Sequence, residues 1–313
     1  MRSIEPKIIN APQQIADLLD WLILRHSNRQ FEPTMYIDLE GVDLCRAGSI
    51  SLLTLLIDTG ISVAPVHLID IHTLGAQAFN TSGKRGKTLK DVLQDPAIPK
   101  VFFDVRNDSD ALFAHYGVAL QGIEDVQLME SATRTTTASR KFLTGLTKCI
   151  EQNVLWPLTS GSLESWKAAK KEGERLFKSE FGGSYQVFNQ RPVSEAIVAY
   201  CVGDVQCLPH LRQRLYASKT LQWQNLVLEE SKKRVVDSQT VGYQPHGRDR
   251  ALAPWTIEQN RMLDEWNYVP PPMRYDDVDP FEEYYEDDGE DYGWSVYNDY
   301  EDWTRCEWQG PPS

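Results

Sequence analysis

Thr34-Met35-Tyr36-Ile37-Asp38-Leu39-Glu40 is the stretch on which the fold turns, and it reads as a β-strand. Two further strand-like runs follow at residues 49–58 and 64–70, with Gly41, Gly48 and Gly60 in the short connections. Connections that short favour an antiparallel meander. Upstream, Ile15, Leu18, Leu19, Leu22 and Ile23 fall at helical spacing and predict an amphipathic helix over Pro12–His26. Downstream, helical stretches at 88–93 and 108–116 flank a strand candidate at 100–104, and a short strand at 123–126 precedes a long helical region. Strands first, then strands alternating with helices, predict an α/β domain with a mixed sheet.

From residue 140 to 216 the pattern is mainly helical, interrupted by a Gly/Ser/Gln-rich loop at 182–190. Pro192 stands where a helix can begin, and Ile197, Val198, Cys201, Val205 and Leu208 mark one apolar face. His210 follows on the same predicted helix, as a packing or surface residue. A last helical segment at 220–235 ends in Lys232, Lys233 and Arg234. Three regions result: residues 1–220 as the main domain, 221–270 as a helical, basic extension, and 271–313 as a tail.

The tail holds most of the chain's charge. The 313 residues carry a formal net charge of −13, of which −12 lies in residues 271–313, with fourteen Asp and Glu against Arg274 and Arg305. A strongly acidic balance argues against a nucleic-acid partner, whose phosphates reward clustered Lys and Arg. The body is nearly neutral, at −1 over 270 residues, so the exclusion does not reach it. The aperiodic tail interleaves acids with aromatics such as Tyr284, Tyr285 and Trp294, and its composition predicts disorder. It could solubilise the chain, present a motif to a protein partner, or cover the site by mimicking a nucleic acid.

The amino terminus lacks the apolar core of a signal peptide and no stretch approaches a membrane span, which predicts a nuclear or cytoplasmic protein. Cys45, Cys149, Cys201, Cys207 and Cys306 show no C-x-x-C spacing and the six histidines form no close pair. Reduced, packed thiols are the expectation, and a zinc site is not.

Four carboxylates and a tyrosine carry the chemical argument. Asp38 and Glu40, at i and i+2 of a strand, leave the same face. Two anions so close repel unless a cation lies between them, although an isolated pair reads first as solvated acids at a strand edge. Asp108 follows a strand at the start of a helix, where either it or Asn107 could be a cap. Tyr200 and Asp204, four apart on a helix, share a face. Together the acids fit a two-metal phosphodiesterase, and all-oxygen ligands suit two Mg²⁺ or Mn²⁺ ions. The tyrosine hydroxyl is placed to position an attacking water.

The wording and order of three motifs extend the argument. They are residues 37–55, from Ile37-Asp-Leu-Glu through Gly-Ser-Ile-Ser-Leu-Leu; residues 100–112 around Asp108; and Arg191-Pro-Val-Ser-Glu-Ala-Ile-Val-Ala-Tyr-Cys-Val-Gly-Asp. With them the chain resembles the DEDD superfamily of 3′-5′ exonucleases, in its RNase D-like, tyrosine-bearing branch and its fungal members. The resemblance covers about residues 4–216. It implies an RNase H-like fold with a central mixed five-stranded sheet flanked by helices. It also implies Asp38, Glu40, Asp108 and Asp204 as metal ligands, Tyr200 as the residue orienting water, and release of nucleoside 5′-monophosphates from a 3′ end. Single-stranded RNA or DNA is the implied substrate, RNA by analogy. A binding module that has kept the fold in RNA silencing or decay is the competing class.

Other residues are open at this stage. Arg46, in the first-motif loop, could approach a terminal phosphate or pair with Asp43. Tyr185 and Phe188 could stack a base or simply anchor their loop. Asp125 is a candidate helix cap or a support for the site. Phe103 stands where many relatives carry a polar residue such as histidine. The basic runs, among them Arg140-Lys141 and Lys170-Lys171, are equally surface charge or phosphate contacts.

Overall fold

The computed structural model describes residues 6–27, 33–59, 65–153 and 160–270. The acidic tail at 271–313 lies outside the described residues, as does the start of the 64–70 run.

Six strands form one mixed sheet. They are β1 (Lys7–Ile9), β2 (Thr34–Glu40), β3 (Leu52–Asp58), β4 (His67–Asp70), β5 (Lys100–Phe102) and β6 (Ile123–Asp125), in the spatial order β1-β4-β3-β2-β5-β6. The expected meander is there: β2 pairs antiparallel with β3, and β3 with β4. The remaining pairs, β1 with β4, β2 with β5 and β5 with β6, are parallel. The sheet thus has six strands, not five. The additional strand is Lys-Ile-Ile, too short to show any period, and it exists because β4 offers it an edge.

Alternation along β2 decides what each face receives. Met35, Ile37 and Leu39 enter one core with Leu53, Leu55 and Ile57 of β3 and with Ile15, Leu19 and Leu22 of the Pro12–His26 helix. Tyr36 joins the opposite core with Leu52, Leu56, Val101, Ile197, Cys201 and Val205. Asp38 and Glu40 belong to Tyr36's face, because side chains two apart leave a strand together. Leucines on both faces of β3 show that helices cover the sheet on both sides.

The helix Glu195–Gln206 closes the second face. Ser194 caps it by accepting from the Ile197 N–H, and Ile197, Cys201, Asp204 and Val205 are buried along it. It ends at Cys207. Pro209 stands near the start of a separate helix, Leu208–Tyr216, so His210 lies on that helix and not on the one bearing Tyr200. Leu221–Ser238 and Ile257–Trp266 complete the unit, which runs from Met1 to Tyr268. Residues 221–268 therefore pack within the body. Trp223 of Leu221–Ser238 is fully buried and donates its ring N–H to the Ala132 carbonyl. Among the described residues no helix is long and apolar enough to cross a membrane.

Candidate active site

Asp38 and Glu40 end β2, and Asp204 faces them from Glu195–Gln206. Carboxylate oxygens of these three acids lie within 4.8 Å of one another. Asp108 sits in the first turn of the helix Arg106–Tyr116, behind the end of β2, and its charge acts on both Asp38 and Glu40. Val105 occupies the cap position with no side-chain bond, so neither Asn107 nor Asp108 is the N-cap. Tyr200 is half-buried one turn before Asp204 and hydrogen-bonds to its carboxylate. Spacing pairs Asp38 with Glu40 and Tyr200 with Asp204, and packing of the helices Glu195–Gln206 and Arg106–Tyr116 near the end of β2 brings the two pairs and Asp108 together.

Four acids in a dehydrated cleft resist ionising together. Loss of hydration, followed by the Asp204 charge, pushes Asp38 up to about 8. Glu40 is raised well above the usual carboxylate range by burial and then by Asp38 and Asp204. Asp108 is raised by burial and then by Asp38 and Asp104. Burial also raises Asp204, against the opposing pull of Lys170 and of the Tyr200 hydrogen bond.

Asp38 Oδ2 and Asp108 Oδ1 are buried without a hydrogen-bond partner. Orphaned oxygens of this kind, beside a three-carboxylate cluster, are the donor set that a hard divalent cation satisfies. The residues present therefore fit divalent ions, and carboxylate oxygens favour hard ones.

Lys170, of the basic pair Lys170-Lys171, turns neither to the surface nor to a phosphate but to the acids. It lies on Ser160–Phe177 and places Nζ 2.6 and 2.8 Å from the two Asp204 oxygens, and 4.4 Å from the centre of the Tyr200 ring. Nothing local in the sequence marks it, because 34 residues and a loop separate it from Asp204.

Its helix approaches the tyrosine closely. A β-carbon on Gly173 would lie 2.5 Å from Tyr200 Cβ, so only glycine fits at the crossing. Gly173→Ala should push the ring aside, cost about 1–3 kcal/mol of stability and lower turnover more than substrate affinity. Thermal unfolding and steady-state kinetics on one preparation check both effects.

Arg191 holds the other rim. Its guanidinium grips both oxygens of Asp70 at the end of β4, with Nε donating to Oδ2 at 2.6 Å, while Nη1 donates to the Phe188 and Gln190 carbonyls. The loop before Tyr200 is thereby tied to the sheet. Phe188 is fully buried and anchors that loop, whereas Tyr185 is exposed with its ring 5.2 Å from that of Phe177. A cavity of about 560 Å³ opens here, lined by Val42, Asp43, Asn107, Phe177, Tyr185 and His246 among others.

Three basic residues take structural partners. Arg46 pairs with Asp110, not Asp43, Nε to Oδ1 at 2.7 Å. Its other nitrogens donate to the carbonyls of Ser238, Thr240 and Val241, so the guanidinium fastens the end of Leu221–Ser238. Arg140 is fully buried, bound to Asp264 and Asn260. Likewise Arg234 parts from the exposed Lys232 and Lys233 to meet Asp125. Asp125 is the expected helix cap, accepting from the Gln127 N–H, and it also accepts from the Asp104 and Val105 N–H groups. Phe103 packs, half-buried, against the second core.

Known proteins share the fold. The solved structure of RNase D from Trypanosoma brucei bound to GMP superposes with a TM-score of 0.61 at 20% identity, covering 84% of this chain and 71% of that one. The same enzyme with RNA U12 gives 0.61 at 18%, over 83% and 79%. RNase D from Escherichia coli gives 0.50 at 19%, over 76% and 51%. Identities that low carry the fold alone. Among curated proteins, the piRNA biogenesis protein EXD1 of mouse is 34% identical and that of human 33%, each over 91 residues. Those alignments span 29% of this chain and only 14% and 16% of the relatives' own length. The matches give no support to a fungal affinity. Residues 13–218, about two-thirds of the chain, match the family described as 3′-5′ exonuclease, and the chain belongs to that family.

Proposed function

We propose that this chain is a divalent-metal-dependent nuclease that removes nucleotides from the 3′ end of single-stranded nucleic acid, RNA before DNA, and releases nucleoside 5′-monophosphates. The observation that carries the reading is the convergence of Asp38, Glu40 and Asp204 within 4.8 Å, with unpartnered oxygens on Asp38 and Asp108. Asp38, Glu40, Asp108 and Asp204 would hold two Mg²⁺ or Mn²⁺ ions, whose chemistry when bound is charge neutralisation at the phosphate and activation of a water.

The chain's own residues do the rest. Burial, and then the negative charge of Glu40, Asp204 and Asp38, raises Tyr200 far above its ordinary value, so the phenol keeps its proton. It therefore orients a water by hydrogen bonding and does not act as a base. Tyr200→Phe keeps the ring's packing on Phe177 and removes the hydroxyl; it should lower turnover about 10²-fold with little change in KM. Tyr185 offers an exposed ring on which a base can stack, a contact worth about 1–3 kcal/mol. Tyr185→Ala should therefore raise KM about tenfold with turnover nearly unchanged, measured on a short homopolymer.

A second reading has one observation in its favour. Lys170 already presents a cation to both oxygens of Asp204, and a protein that binds strands without cutting them could rest in that state. Chromatography of the small products released from single-stranded RNA in Mg²⁺ or Mn²⁺ separates the two. Nucleoside 5′-monophosphates support the nuclease; nucleoside 3′-phosphates, or strand binding with no small product, overturn it.

A further inference from the structure

Away from the four acids, a different donor set assembles. A carboxylate oxygen of Asp43, the thiol sulfur of Cys45 and an imidazole nitrogen of His246 lie within 4.8 Å of one another. Asp43 and Cys45 belong to the turn that follows β2; His246 arrives from the segment after Leu221–Ser238, some two hundred residues later.

The structure holds these two segments together by several independent contacts. Arg46, next to Cys45, donates to the carbonyls of Ser238, Thr240 and Val241. His246 Nε2 lies 3.0 Å from Asp43 Oδ1, and the Tyr243 hydroxyl ties the same late segment to the helix Arg106–Tyr116 by donating to Asn107 Oδ1 at 2.7 Å. Beneath this pair, Cys45 is completely buried, has no disulfide partner, and its thiol has no hydrogen-bond partner among the described residues. His246 and Asp43, with side chains 67% and 55% exposed, leave a route in from solvent.

We propose that Asp43, Cys45 and His246 form a second cation site, selective for a thiophilic divalent ion and zinc above all, with solvent in the fourth position. One sulfur, one nitrogen and one oxygen are the donors tetrahedral zinc takes, whereas a thiolate ligand disfavours magnesium. Binding exchanges the thiol proton, released to solvent, for the metal–sulfur bond. The bound ion fastens the segment carrying His246 to the turn carrying Val42 and Asp43, residues that line the cavity beside the acids. The site does not depend on the nuclease reading, since its donors are separate from the four acids.

Cobalt(II) titrated into the reduced full-length chain is the test, because cobalt bound to thiolate shows a charge-transfer band in the near ultraviolet. The band should rise to one equivalent, be removed by added Zn²⁺, and persist when Asp38→Asn and Glu40→Gln disable the carboxylate cleft. Cys45→Ser should abolish it, and His246→Ala should weaken zinc binding at least tenfold. Cobalt binding without the band, a band that survives Cys45→Ser, or zinc affinity unmoved by His246→Ala overturns the site. Should Cys45→Ser not fold, the exposed His246 variant decides.

Discussion

Asp38→Asn with Glu40→Gln is expected to lower strand shortening by about 10³-fold or more and, at the same time, to stabilise the metal-free protein. The two effects have one cause. Asp38 titrates near 8 in the folded chain and near about 4 unfolded, so between those values the folded state binds more protons. The acids' contribution to the stability of the metal-free protein should therefore fall as pH rises from about 4 to about 8, opposed between about 4 and about 6.5 by His67, which burial holds down to about 4. Glu40, Asp108 and Asp204 shift in the same direction and steepen the fall. Amides carry no charge to bury, so the double variant should unfold at a higher temperature near pH 8 and show a flatter profile. Mg²⁺ or Mn²⁺ at a hundred times its dissociation constant should stabilise the wild type by about 2.7 kcal/mol and leave the variant much less affected. Thermal unfolding across pH, with chelator and with metal, reads all of this. A wild-type protein whose metal-free stability rises towards pH 8 would show that the acids do not repel as their burial requires.

Asp125→Ala should cost about 3–5 kcal/mol, the loss expected when a buried ion pair is broken from one side. Asp125 is wholly buried, and Arg234 opposite it is nearly so, Nη1 to Oδ2 at 2.7 Å. Removing the carboxylate strands a buried guanidinium and also the N–H groups of Asp104, Val105 and Gln127. The unfolding midpoint should drop by roughly 10 °C or more. Arg234→Ala strands the same pair from its other side, so the double variant should lose clearly less than the sum of the two single losses. Additive losses would mean that the pair does not act as a unit. Activity should fall as well, at temperatures where the variant is still folded. Asp104 and Val105 lead directly into the turn that carries Asp108, and Asp125 fixes their backbone.

The reach of the sequence follows from which interactions are local. Asp38 and Glu40 share a face because strand geometry makes them do so, and Tyr200 and Asp204 because helix geometry does. The meander at β2, β3 and β4 is legible for the same reason, its connections being short. Lys170, Arg234 and the Asp110 partner of Arg46 are long-range choices, made by packing across 34, 109 and 64 residues, and no period encodes them. β1 is three residues long and is defined by its neighbour. The helix Ile257–Trp266 did carry a local signal, since Thr256 and Gln259 form a capping box at its start. The meeting of Asp43 and Cys45 with His246 lay beyond reach, because ligand spacing in sequence reveals only sites built within one segment.

The central claim is that the four acids make this chain cut from a 3′ end. A 5′-labelled single-stranded RNA incubated with the full-length protein and Mn²⁺, beside the Asp38→Asn, Glu40→Gln variant, tests it most directly. The account predicts a ladder that shortens in single-nucleotide steps for the wild type and an intact strand for the variant. A strand that the wild type binds and leaves at full length, or one cut internally, would contradict it.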